Sequence, residues 1–83
     1  MPNHRFSAHM QVVLRERGLD IAWVKRVLAS PEWVEPDPND PQLTRAFASV
    51  PERGGRILRV VYRDDGATRF VVTAFFDRGA RRP

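Results

Sequence analysis

Two side chains that could take part in acid–base chemistry lie close together near the start of the chain. At about 3.6 residues per helical turn, His9 and Arg17 are two turns apart on the same face of a helix, with Val13 between them. An imidazole exchanges protons near neutral pH, and a guanidinium binds anions through several N–H groups. The spacing makes chemistry on phosphate or RNA conceivable, but it is far less specific than a metal-ligand or nucleotide-loop motif.

Cleavage of RNA without a metal ion requires three kinds of side chain. It needs a base for the 2′-hydroxyl proton, an acid for the leaving 5′-oxygen and cations for the charge on the phosphorane. His9 could be the base or the acid, while Tyr62 could orient the substrate or donate a proton. The candidate catalytic residues are His9, Arg17, Tyr62 and Thr73, and the candidate RNA- or phosphate-binding residues are Arg56, Arg59 and Arg69.

Each of these residues also has a purely structural interpretation. A histidine in the first turn of an amphipathic helix often packs or hydrogen-bonds to a carbonyl, and Arg17 could favour the negative end of the helix or pair with a carboxylate. Tyr62 and Thr73 are ordinary strand residues. With two histidines and no cysteine, the sequence predicts no metal site and no cofactor, and His4 is expected to precede the first ordered element.

The size and charge of the chain limit the classes of protein to consider. Its 83 residues predict one domain, 1–83, with mobile ends near 1–5 and 77–83. The net charge is +4, and Lys25 is the only lysine beside thirteen arginines. This bias either suits an RNA or acidic protein partner or reflects coding preference. Without a signal-like apolar run or a membrane-spanning segment, we expect a cytoplasmic protein that makes no membrane contact.

The first part of the chain predicts a hairpin of two short helices. Ser7 can cap the first helix, which then ends at Gly18. Asp20 can cap the second, and Pro31 stops it because the residue before proline avoids the helical region.

The second part of the chain predicts strands. A possible first strand begins at Trp33 and gives way to a loop at 35–41 with three prolines. Three further runs, at 42–50, 56–63 and 68–76, are rich in β-branched and aromatic residues and are separated by turn signals. We therefore expect an α+β fold in which the helical hairpin packs on a three- to four-stranded antiparallel sheet.

The last turn predicts how the final two strands pair. If Asp65-Gly66 is a two-residue loop, Arg63 lies opposite Thr68. Alternation then sorts the strand residues onto two faces. The helix-covered face is predicted to contain Ile57, Arg59, Val61, Arg63, Phe70, Val72, Ala74 and Phe76. The other face, suited to stacking a base and holding a phosphate or to binding a protein, is predicted to contain Arg56, Leu58, Val60, Tyr62, Arg69, Val71, Thr73 and Phe75.

The order of several short motifs resembles a small bacterial family catalogued as domain of unknown function 4258. In that pattern a histidine lies near the start of the first helix, and Arg-Gly followed by a hydrophobic residue ends it. A Pro-Glu pair and two strand motifs come later. Here the motifs read His9, Arg17-Gly18-Leu19, Pro31-Glu32, Gly55-Arg56-Ile57-Leu58-Arg59-Val60-Val61-Tyr62 and Val72-Thr73-Ala74.

The resemblance implies a fold similar to the RelE and BrnT toxins and, more distantly, to barnase-like nucleases. The chain departs from the pattern at two positions, with Val13 where the family has a basic residue and Met10 where it has alanine. If the missing basic residue binds phosphate, this copy would be weakened or inactive as an enzyme.

Two functions of different classes follow from these observations. The first is a RelE-like toxin, either a metal-independent endoribonuclease or an RNA-binding domain with a His/Arg/Tyr site. Its partners would be RNA or the ribosome and a cognate antitoxin. The second is a non-enzymatic protein-interaction domain of the same fold, which could act as a homodimer.

Overall fold

The computed structural model describes residues 3–83, in which two helices pack on one face of a five-stranded sheet. The predicted α+β class is confirmed. In chain order the elements are β1 (Asn3–Phe6), α1 (Ala8–Glu16), α2 (Ile21–Ala29), β2 (Trp33–Pro36), β3 (Leu43–Val50), a 3₁₀ turn (Pro51–Arg53), β4 (Arg56–Asp64) and β5 (Thr68–Phe76).

Both helices begin and end at the residues that the sequence indicates. The Ser7 hydroxyl accepts a hydrogen bond from the Met10 backbone N–H at 2.9 Å, and the Asp20 carboxylate accepts one from the Ala22 N–H at 2.8 Å. These bonds satisfy backbone donors that have no partner inside the helix. After α1, Gly18 adopts a left-handed conformation with φ of 63°, which lets the chain turn into α2.

The sheet has five strands where the sequence predicts three or four, and one pair of strands is parallel. The strand order is β1-β5-β4-β3-β2, with β1 parallel to β5 and the other neighbours antiparallel. The expectation of a three- to four-stranded antiparallel sheet was therefore wrong. The sequence gives little sign of β1 because the strand is four residues long and pairs with a segment at the far end of the chain.

The N-terminal residues are more ordered than the sequence predicts. His4 was expected to precede the first ordered element, but it lies in β1 opposite Arg69. Residues 3–5 of the end that was predicted to be mobile thus belong to a strand, while residues 1 and 2 lie outside the described residues. Among residues 3–83, no helix has the length and apolar character needed to cross a bilayer.

The hydrophobic core lies between the helices and the sheet. Helix α1 packs on β5, and α2 packs on β3 and β4. The largest side chains that are fully buried are Met10, Val24, Val27, Leu28, Val50, Leu58, Val60 and Val71. Burial of these apolar surfaces holds the two layers together.

The turn between β4 and β5 is wider than predicted. Asp64 lies opposite Arg69, so the predicted pairing of Arg63 with Thr68 was wrong. The side chain of Asp65 explains the difference, because its carboxylate accepts hydrogen bonds from the backbone N–H groups of Ala67 and Thr68 at 3.1 and 2.7 Å. This side chain stabilises a wider turn than a two-residue hairpin loop.

The assignment of the two sheet faces was wrong for β4, whereas Ala74 and Phe76 of β5 pack with the core under the helices as predicted. The helices cover Leu58, Val60 and Tyr62, whereas Arg59 and Arg63 alternate with them on the opposite face, which we call the open face. Arginines on the open face avoid the cost of burying a charge in an apolar core. On β5 the alternation changes at a bulge beside Val72, so that Val71 and Ala74 are both buried under the helices.

Candidate functional site

Tyr62 and Arg69 lie together on the helix-covered side of the sheet. The Tyr62 ring belongs to the core and is only 6% exposed. The Arg69 guanidinium lies 5.2 Å from the centre of that ring, and its Nη1 donates a hydrogen bond to the Leu28 carbonyl at 2.9 Å. Its Nε forms an ion pair with Asp64 at 3.4 Å. These contacts join β5 to α2 and leave Tyr62 with little access to a substrate.

Arg17 is bound to the edge of the sheet. It caps the C-terminal end of α1 and donates a hydrogen bond from Nη1 to the Ala74 carbonyl at 2.9 Å. Its guanidinium also lies 5.8 Å from the centre of the Phe75 ring. Thr73, the residue before Ala74, is half-buried in β5 opposite Val61 on the open face.

His9 lies on the exposed surface of α1, so its imidazole is open to solvent. The structure therefore places the candidate catalytic residues in different surroundings. Tyr62 lies beneath the helices, whereas Thr73 lies on the opposite side of the sheet. They do not form one compact set of side chains around a cleft.

The open face carries a row of alternating aromatic and guanidinium groups that runs across four strands. Trp33 stacks on Phe47 with ring centres 4.6 Å apart, and the Arg59 guanidinium lies 5.8 Å from Phe47 and 4.5 Å from Phe75. Arg17 continues the row at the other side of Phe75. Because Phe47 is 2% exposed, its ring has no free face on which a base could stack.

Arg59 is also neutralised by a carboxylate. Its Nε donates to Asp77 Oδ2 at 3.0 Å, and its Nη2 contacts the same oxygen. Burial alone would raise the pKa of the Asp77 carboxyl, but hydrogen bonds from Arg59 and the Gly79 backbone outweigh it and hold the pKa below its usual range. The positive charge of Arg59 is therefore neutralised by Asp77 and does not add to the attraction of an anionic ligand.

Arg56 has the opposite environment. It is exposed at the start of β4, and its guanidinium lies 4.8 Å from the centre of the Phe76 ring. It lines a cleft of about 270 Å³ between the start of β4 and the C-terminal tail, residues 77–83. We call this the arginine cleft, and its lining residues are Gly55, Arg56, Ile57, Phe76, Asp77, Arg78, Ala80 and Arg81.

The charges that line the arginine cleft are not balanced. Within residues 3–83, Arg56, Arg78 and Arg81 have no carboxylate within 4.0 Å, and the one acidic group of the lining, Asp77, is paired with Arg59. A small concave site with three uncompensated guanidinium groups attracts anions. Phosphate is a good match because guanidinium groups bind its oxygens in pairs.

A second cleft lies on the other side of the tail and is better balanced. It has a volume of about 440 Å³ and shares Asp77, Ala80 and Arg81 with the arginine cleft. Arg45 lies in it and pairs with Asp37 at 3.2 Å and with Glu35 at 3.7 Å. We call it the tryptophan cleft because Trp33 and Phe47 form part of its wall.

The structure thus separates the three predicted phosphate-binding residues. Arg56 faces an open cleft, Arg59 pairs with Asp77, and Arg69 binds the Leu28 carbonyl. Arg78 and Arg81 are not among the predicted site residues, because the sequence predicts a mobile end at 77–83. The cluster of arginines at 78, 81 and 82 is the signal that could have drawn attention to it.

The chemistry of the described side chains gives no metal centre. In the part of the chain from residue 3 onward, no three His, Cys, Asp or Glu side chains come together as a set that could hold an ion.

No curated protein and no solved structure matches the chain, so the similarity to RelE and BrnT stays a prediction. A family model described as a domain of unknown function does match, and it covers residues 6–76. This range includes α1, α2 and strands β2 to β5, and it ends just before the tail that forms part of both clefts. The chain therefore belongs to the family of domain of unknown function 4258 (DUF4258).

Proposed function

We propose that the protein binds single-stranded RNA through the phosphate groups of the RNA, with the arginine cleft as the main contact. The observation that carries the proposal is the set of three arginines, Arg56, Arg78 and Arg81, which line one cleft without a carboxylate partner. Flexible single strands can bring a phosphate into a concave site more easily than a rigid duplex can.

The aromatic contact of Arg56 supports this proposal. A guanidinium that is held 4.8 Å from the Phe76 ring loses less freedom when it binds an anion. Arg53 adds positive charge nearby, because its guanidinium lies 5.1 Å from the centre of the same Phe76 ring. The net charge of +4 would speed the approach of a polyanion, and a cytoplasmic location would give the protein access to RNA.

The ribonuclease form of the proposal rests mainly on His9. Its imidazole is exposed and could exchange a proton with bound RNA, whereas Tyr62 is buried in the core. RNA cleavage therefore stays a prediction that depends on His9 and Arg17. A toxin role, with the ribosome as target and a cognate antitoxin as partner, stays a prediction as well. RNA binding by the arginine cleft does not depend on His9 or Arg17.

Binding of a short, fluorescently labelled single-stranded RNA, measured by anisotropy, tests the proposal. We expect Arg56→Gln to weaken binding about tenfold, since a charge-assisted contact to phosphate is lost. The slope of log affinity against log salt should also become shallower by about 0.7 for the lost phosphate contact. Arg63→Gln is the matched control, because Arg63 is an exposed arginine of the same strand that lies 5.7 Å from the Phe70 ring.

Three outcomes would contradict the proposal. The first is the absence of saturable RNA binding by the wild-type protein. The second is an equal loss of affinity in Arg56→Gln and Arg63→Gln, which would show attraction by net charge without a site. The third is equally tight binding of polyglutamate, which would favour the protein-interaction domain that the sequence also allows.

A further inference from the structure

We infer that residues 78–82 form an RNA-binding arm, which Glu32 holds against the protein in the absence of RNA. The inference rests on the proposed function and adds to it a means of regulating the same cleft. The segment contains three arginines and no acidic residue, and Arg81 lines both the arginine cleft and the tryptophan cleft. The arm is therefore a shared wall between the two clefts.

The base of the arm is firmly fixed at Asp77. Its backbone N–H donates to the Ile57 carbonyl at 2.9 Å, and its carboxylate accepts hydrogen bonds from Arg59 and from the Gly79 N–H. The side chains of Asp77 and Arg59 are mostly buried, so solvent screens their ion pair only weakly. The arm can move away from the sheet while its base stays in place.

The far end of the arm is held by one exposed ion pair. Arg82 Nη2 lies 2.7 Å from Glu32 Oε1, and the two side chains are 62% and 32% exposed. Exposed pairs of this kind are weak and are screened further by salt. An RNA phosphate that reaches Arg82 thus competes with a carboxylate that holds it only loosely.

The two carboxylate oxygens of Glu32 bind different residues. Oε1 binds Arg82, while Oε2 accepts hydrogen bonds from the Ser49 backbone N–H at 2.6 Å and from the Ser49 hydroxyl at 2.8 Å. A glutamine keeps one oxygen for Ser49 and loses the negative charge that holds Arg82. Glu32→Gln therefore releases the arm with little disturbance to the join between β2 and β3.

The RNA-binding assay described above tests the arm. We expect Glu32→Gln to bind RNA about threefold more tightly than Glu52→Gln does. Glu52→Gln is the matched control, since Glu52 forms an exposed ion pair with Arg26 at 2.9 Å, and Arg26 belongs to α2. Both variants remove one negative charge and free one arginine. The additional gain should disappear in the double variant Glu32→Gln/Arg82→Gln.

A second measurement separates the arm from the proposed function. Without RNA, the heteronuclear ¹⁵N nuclear Overhauser effects of residues 78–82 should fall in Glu32→Gln and stay unchanged in Glu52→Gln, because only the first releases the arm. If the wild type binds RNA saturably but Glu32→Gln binds no more tightly than Glu52→Gln, the inference about the arm is contradicted, while RNA binding by the arginine cleft is still supported. If no variant binds RNA, the proposed function fails, and with it the inference, whatever the relaxation data show.

Discussion

Arg17 and Ala74 connect the end of α1 to an edge of the sheet, through a hydrogen bond of 2.9 Å from the guanidinium to the backbone carbonyl. Strand β1 pairs with β5 only from Thr68 to Val71, so Ala74 lies beyond the reach of β1. Arg17 supplies the donor that a longer β1 would have provided. A residue that the sequence marks as a candidate catalytic cation thus has a definite structural task.

This contact predicts a loss of stability in Arg17→Ala. We expect the free energy of unfolding to fall by about 1 kcal/mol, because a hydrogen bond to a strand carbonyl and the stacking on Phe75 are both lost. Urea denaturation measures the change. Arg15→Ala, at an exposed position of the same helix, should leave stability almost unchanged. Unaltered stability in Arg17→Ala together with a loss of RNA cleavage would instead favour the catalytic role.

The buried ring of Tyr62 predicts a contrast between two substitutions. Tyr62→Ala should destabilise the protein by about 3 kcal/mol or more, because it leaves a cavity in the core. Tyr62→Phe keeps the ring and should change the free energy of unfolding by less than about 1 kcal/mol. Chemical denaturation and RNA-binding assays would be run on both variants. A folded Tyr62→Phe protein that loses RNA cleavage would show that the hydroxyl takes part in catalysis.

His4 predicts that stability falls in mildly acidic solution. Burial, assisted by the charges of Arg69 and Lys25, lowers the pKa of His4 below its ordinary value of 6.5. As the pH drops through 6.5, the unfolded chain therefore binds more protons at His4 than the folded protein does. The contribution of His4 to stability is present above pH 6.5 and is lost as the pH falls toward the lower pKa of the folded state.

Urea midpoints at about pH 7.5 and about pH 5.5 measure this effect. His4→Asn should reduce the difference between the two midpoints. His9→Asn is the control, since His9 is exposed on α1, and it should keep the wild-type difference. An identical pH dependence in the wild type and His4→Asn would contradict the prediction.

The exposed position of His9 predicts that His9→Ala affects RNA cleavage without affecting the free energy of unfolding. Because its side chain is exposed, His9→Ala should change the free energy of unfolding by no more than about 0.5 kcal/mol. If the protein is a ribonuclease, its expression in a bacterial host should arrest growth and deplete transcripts, and His9→Ala should abolish both effects. Normal growth and intact transcripts with soluble, folded wild-type protein would leave RNA binding without cleavage.

The helices could be predicted from sequence because their ends depend on nearby residues. Ser7 and Asp20 each accept a hydrogen bond from a backbone N–H two or three residues further on. The sheet was harder, since β1 depends on a partner more than sixty residues away along the chain. The register of β4 with β5 depends on the side chain of Asp65 and on a bulge near Val72, and strand alternation reveals neither.

The candidate site shows the same limit. Residue type makes Arg56 and Arg59 equal candidates for phosphate binding, and it does not show that the charge of Arg59 is neutralised by Asp77 while Arg56 lines an open cleft. The ion pair holds Asp77, the first residue of the tail, against β4, and the residues that follow place Arg78 and Arg81 in the lining of the cleft. Hydrophobic periodicity predicts helices and strands, but it does not reveal an ion pair between residues that are far apart in the sequence.

The pairing of β1 with β5 has a consequence for synthesis on the ribosome. Strand β1 leaves the exit tunnel well before its partner β5, and α1 also packs on β5. Neither can reach its final place until residue 76 has emerged. The apolar face of α1 therefore stays uncovered until β5 has been synthesised, and a truncated product that ends before β5 would be a substrate for chaperones and proteases.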